Sequence, residues 1–234
     1  AMDSALKAHV WALVAERADK VVDPILAVRL ELVDLVRLVD RGENALVLAR
    51  GHGALAKALA IGTGPLVLGA LCPVALALRR LGEPDLALDL YEQVHPLLPK
   101  GDSSAACTRA DHFNNKAMAC LHLADMRGCA GDESAARVAL QNAREHAEQA
   151  CALILPLNND RMKVAPLDTS TQLLLRCGEV AAARKKVEHV QSVLAMTPTP
   201  GTEVWGLLHL ALVQIDLHEG RDLHQALSTL RAIA

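Results

Sequence analysis

Along most of this chain apolar side chains return every third or fourth residue, the period of a helix with one face turned inward. Residues 132–151, DESAARVALQNAREHAEQAC, carry the clearest case. Ala136, Ala139, Leu140, Ala143, Ala147, Ala150 and Cys151 fall on one face, and Glu133, Arg137, Gln141, Glu145 and Glu148 on the other. Glu133 stands one turn before Arg137, which suits an ion pair, and Asp132 after Gly131 is a natural N-cap. Stripes separated by glycine, proline or a capping residue predict further helices over 43–61, 66–78, 84–98, 104–130, 161–177, 179–196, 203–219 and 222–234. Another starts at Asp23-Pro24, with proline in its first turn, and ends at Gly42. Asp222 and Gln225 resemble a capping box at the start of the last helix. No stretch alternates apolar and polar residues as a half-buried strand does, so the expectation is an all-α chain of about ten helices.

The punctuation repeats. Gly82 is followed five residues later by Ala87, then by Tyr91 and Val94. Gly131 leads in the same way to Ala136, Leu140 and Ala143, and Gly178 to Ala183, Val187 and Val190. Gly220 leads to Ala226 and Leu230, one residue out of step. The alanines at 87, 136, 183 and 226 are 49, 47 and 43 residues apart, a period that marks a helical array. Glycine frees the turn of a helical hairpin, and alanine lets the second helix press against the first. The bulkier residue one turn later fills the groove toward the next hairpin. No hairpin can bury its stripe alone, so a stack buries it collectively.

These residues resemble the tetratricopeptide repeat. Leu71, Val74, Ala75 and Leu78 match its first helix, and Gly82, Ala87, Tyr91, Val94 and Pro99 match its turn, second helix and exit. Cys120, Leu123, Ala124, Gly131, Ala136, Leu140 and Ala143 match a second copy, without the final proline. The period exceeds the family's, about 34 residues, because the helices are longer. The resemblance implies a right-handed α-solenoid of stacked antiparallel helix pairs. It covers residues 65–234 as one continuous array, with N-terminal helices in 1–64 packing onto it. The Leu/Ala-rich style also looks like the long repeat regions that precede bacterial diguanylate cyclase or transcription-activator domains, although no GGDEF, EAL or helix-turn-helix signature occurs.

Composition narrows the function classes. Apolar residues make up 52% and aromatics 2%, so the core must be built from Leu, Val and Ala. Net charge is −3, and no basic stripe marks a nucleic-acid surface. The densest basic run, Arg184-Lys185-Lys186, lies between Glu179 and Glu188 and reads as a solvated face. Residues 58–78 carry no charge, but Gly62-Thr63-Gly64-Pro65 breaks them into pieces too short to span a membrane. The six cysteines form no CxxC pair and read as reduced core or near-core residues of a cytoplasmic protein. Ala-Met-Asp-Ser at the start looks like a cloning scar. The apolar stripe Leu223, Ala226, Leu227, Leu230 and Ile233 running to the last residue is expected to meet a continuation of the chain or a second copy.

Catalytic and cofactor signals are absent. Gly51-His52-Gly53 and Gly62-Thr63-Gly64 extend to neither GxGxxG nor a phosphate loop, and read as helix ends. The ten histidines include no HExxH and read as surface residues; His218 and His224 flank Gly220, but nothing completes a tetrahedral metal site. There is no G-x-S-x-G elbow, and cysteines on apolar faces are inert as nucleophiles. The expectation is no enzyme, no cofactor and no metal.

What remains is a polar stripe on helix 104–130: Asp111, Asn115, Met118, His122 and Asp125, at three- and four-residue steps. In the family the resemblance names, the first helix of each pair lines the concave groove. Asn114 and Asn115 resemble the asparagines that hold an extended peptide's backbone there. Trp205 and His209 are candidates for a similar part on helix 203–219, and the family's dicarboxylate clamp is not matched. The simpler reading of the stripe is a solvated face. The expected function is a non-catalytic module that binds a protein or peptide within a bacterial regulatory protein. The alternatives are a homodimerising scaffold, or a small-molecule receptor with its pocket between helices 24–61 and the array.

Overall fold

The computed structural model describes residues 23–62, 64–157, 160–195 and 211–220; all the described secondary structure is helical. The predictions at Trp205, His209, His224, Ala226 and the C-terminal stripe lie outside these residues. The chain divides into two compact units, residues 1–99 and 100–234, at the junction after the exit proline Pro99.

The first unit contains α1 (Pro24–Asp40), α2 (Asn44–Ile61), α3 (Gly64–Arg80) and α4 (Pro84–Val94), with a 3-10 turn at His95–Leu97. The Asp23 side chain accepts from the backbone N–H groups of Ile25 and Leu26, so the Asp-Pro start acts as predicted. The helix expected to reach residue 98 stops at Val94, because Pro96 has no N–H to continue the ladder. The core joins Val28 and Ala58 to Leu66, Leu71, Val94 and Leu98. A second cluster joins Leu35, Leu38 and Val39 of α1 to Val47, Ala54 and Ala77.

The second unit contains α5 (Ser103–Cys129), α6 (Glu133–Ile154), α7 (Asp160–Arg176), α8 (Val180–Ala195) and α9 (211–218). Alanines dominate the buried side of α5 and α6. Val164, Leu167, Leu175, Ala183, Val187, Ala211 and Ile215 bind α7, α8 and α9 into one core. In each unit the first helix touches both its successor and the helix after that: α1 packs on α2 and α3, and α5 on α6 and α7.

Four turns share one construction. Gly42, Gly82, Gly131 and Gly178 have φ of 74°, 87°, 79° and 73°, a left-handed conformation open to glycine at low cost. The residue after each glycine donates its N–H six residues' span back into the preceding helix: Glu43 to Leu38, Glu83 to Leu78, Asp132 to Arg127 and Glu179 to Leu174. Each glycine's own N–H also donates back, to the carbonyls of Val39, Arg79, Gly128 and Leu175, completing the two hydrogen bonds of a Schellman ending. Ala87, Ala136 and Ala183 then follow at the same distance and are buried, as the spacing predicts. Gly42 leads in the same way to Val47, which is fully buried. The repeated turn therefore reaches into the N-terminal region, where valine in place of alanine hides it from the pattern.

Several expectations are corrected. Gly51-His52-Gly53 is no helix end but the middle of α2. Gly51 is buried there because a Cβ would sit 2.3 Å from Cγ2 of Val74, so its absence lets α2 settle on α3. Cys129 and Cys177 are exposed, while Cys120 and Cys151 are buried and Cys72 and Cys107 half-buried. His112 is no surface histidine: it is buried, edge-on to Phe113 at 5.4 Å. Arg137 donates from Nε to the backbone carbonyl of Glu133 at 3.3 Å, because that carbonyl lies directly below it on the helix. Arg184 is not simply solvated: its guanidinium bridges Asp216 at 3.0 Å and Glu219 at 2.7 Å, holding α8 to α9.

Candidate functional site

The predicted polar stripe lies on α5, a helix started by the Asp102 carboxylate accepting from Ala105 N–H at 3.0 Å. Asp111 and Asp125 are exposed, and Asn115, Met118 and His122 half-buried. Asn114 departs from a groove-lining role at the surface. It is buried to 9% exposure, and its Oδ1 meets no hydrogen-bond donor. Leaving a buried acceptor unmet costs about 1–3 kcal/mol. Asn114 and Asp125 are eleven residues apart, three turns of helix plus about 20°, so they share a face.

Asp125 shows which neighbour that face meets. Its carboxylate takes two bonds from Arg176 of α7, from Nε at 2.9 Å and from Nη2 at 2.8 Å. The pair is bidentate, which fixes the register of α7 on α5 as well as adding charge attraction. It also holds the Arg176 guanidinium more firmly protonated than usual. Arg176 reaches back at 3.4 Å to the Gln172 side chain one turn earlier. Gln172 in turn donates to Gln214 of α9 at 3.0 Å. A chain of polar side chains thus crosses α5, α7 and α9, from Asp125 through Arg176 and Gln172 to Gln214.

Asp168, one turn before Gln172, lies in the same row of α7. Burial pushes its carboxyl up to about 6, with the Gln172 amide acting in the opposite direction. Pro166 lies inside α7 and withholds the N–H that Met162's carbonyl would otherwise receive. Behind the row, Thr169, Ser170 and Thr171 are buried. Thr171 returns its hydroxyl to the Leu167 carbonyl at 2.9 Å, and Ser170 lies 3.4 Å from the Cys151 sulfur.

The stripe on α5 was legible because it keeps helical spacing. Asp168, Gln172, Arg176 and Gln214 were missed: Arg176 and Gln214 are single polar residues among apolar neighbours, and Asp168 and Gln172 end the polar run Asp168–Gln172, which shows no helical spacing. The repeating turns offered a signal: they place α7 and α9 in the same hairpin position as α5. Chemically, the row offers carboxylate, amide and guanidinium groups for hydrogen bonding. Among the described residues no cluster of three His, Cys, Asp or Glu could hold a metal, and no helix is long and apolar enough to cross a membrane. Neither the protein-family models nor the curated proteins contain a match to this chain.

Proposed function

We propose that this chain is a non-catalytic binding module for an extended protein or peptide segment, built as a tetratricopeptide-like right-handed α-solenoid. The partner lies along the polar row of α5, α7 and α9. The reading draws on the helix order within each unit, where first helices of successive hairpins lie side by side, and on the shared Schellman turns.

The observation that carries it is the polar row itself. Asp125, Arg176, Gln172 and Gln214 run across α5, α7 and α9, and side-chain carboxylate, guanidinium and amide groups spaced in this way can pair with the N–H and carbonyl groups of an extended backbone. The row joins a charge pair between α5 and α7 to an amide pair between α7 and α9, so it offers both donor and acceptor groups along its length.

Panning a displayed library of unstructured peptides against the full chain tests this. Enriched peptides should lose roughly tenfold in affinity, about 1.4 kcal/mol, when Gln172→Ala is combined with Asn115→Ala and His122→Ala. Failure to enrich any peptide, or affinity untouched by the triple change in a protein that still melts cooperatively, sinks the reading.

A further inference from the structure

In the first unit, α2 and α4 both rest on α3 without packing on each other, and a cleft of about 330 Å³ opens between them. Leu48 and Leu55 form one wall, Leu86 and Leu90 the other, and Val74 and Leu78 of α3 the floor. Each wall covers about two helical turns, roughly 10 Å at 1.5 Å per residue.

Three polar side chains complete the lining: His52, Asp89 and Gln93. His52 Nδ1 lies 2.7 Å from the Leu48 carbonyl. A carbonyl only accepts, so Nδ1 is the donor in this contact. Asp89 is exposed and has no ion pair among the described residues. No Lys or Arg lines the cleft; on α2, Arg50 and Lys57 pair instead with Asp34 and Glu31 of α1. The cleft thus has apolar walls and one carboxylate, with no Lys or Arg in its lining to answer it.

We propose that this cleft binds a small amphiphilic cation, an ammonium-bearing molecule with a short hydrocarbon body. The body lies against the leucines and Val74, and the ammonium N–H groups donate to the Asp89 carboxylate. The volume falls at the lower end of small-molecule sites, about 300–1,000 Å³. This site is independent of the polar row in the second unit.

Calorimetric titration of the full chain with n-octylammonium, octanoate and 1-octanol provides the test. One octylammonium should bind, and octanoate should bind roughly tenfold more weakly or not at all. Asp89→Asn, an isosteric change at an exposed position, should weaken octylammonium roughly fivefold and leave octanol unchanged. Leu86→Trp, filling the cleft from an exposed position on α4, should abolish binding of all three. Equal affinity for the three head groups overturns the proposal, as does octylammonium binding that survives Leu86→Trp. So does the absence of octylammonium binding up to millimolar concentration.

Discussion

Gly51 and Gly53 lie two residues apart on α2, yet alanine at the two positions should move stability in opposite directions. At Gly51 the new Cβ would fall 2.3 Å from Val74 Cγ2 and 3.8 Å from Val74 Cβ. Carbon atoms settle at about 3.5–4.0 Å, so more than an ångström of overlap must be absorbed. Val74 is 4% exposed and sits on a helix, where its χ1 is nearly locked, so it cannot swing aside. Overpacking of this kind costs about 1–3 kcal/mol. The helix gains about 1 kcal/mol from losing a glycine, leaving Gly51→Ala less stable by roughly 1 kcal/mol. Gly53 is exposed with nothing within 4 Å of an added Cβ, so Gly53→Ala takes the propensity gain alone. Urea unfolding should show midpoints displaced to opposite sides of the parent, with the same dependence on denaturant. The difference between the two variants isolates the overpacking, about 1–3 kcal/mol. Adding Val74→Ala to Gly51→Ala should give a variant more stable than the sum of the single changes. Equal stability of the two glycine variants, or strict additivity in the double one, would show that α2 and α3 do not meet at Gly51.

Two further outcomes follow from the second unit. Burial raises the Asp168 carboxyl to about 6, above the ordinary value of about 3.9, so the folded state holds this proton more tightly than the unfolded chain. Its contribution to stability is therefore present at low pH and lost as pH rises through about 6. Asp168→Asn should raise the melting temperature at pH near 8 and leave it nearly unchanged near pH 4; an equal gain at both would refute the assignment. Thiol labelling of the folded chain should modify exposed Cys129 and Cys177 first, and Cys120 and Cys151 only once urea is added. Rapid labelling of Cys151 would contradict its packing against Ser170 and the Pro166 carbonyl.

The helices and their turns could be read from the chain because their signals are local. A glycine that must adopt positive φ, a proline without an N–H and an aspartate ahead of a free helix end act within a few residues of themselves. Gly82, Gly131 and Gly178 were found on those grounds, and the anchor alanines after them are buried. Gly42 was read as a helix end, but the matching Val47 was not, because any residue small enough for the contact can hold the place.

What the amino-acid sequence determined by itself is the all-helical character of the described residues, the positions of their turns and the apolar side of each helix. These depend on backbone freedom and on a period that one strand of chain carries alone. Only the tertiary structure decided that Gly51 is a point of contact, that His112 and Asn114 go inside, and that Asp125 finds Arg176 fifty-one residues away. Burial and pairing depend on which neighbour arrives and how closely. A side chain of mixed character, such as asparagine or histidine, has no fixed preference until that neighbour is in place.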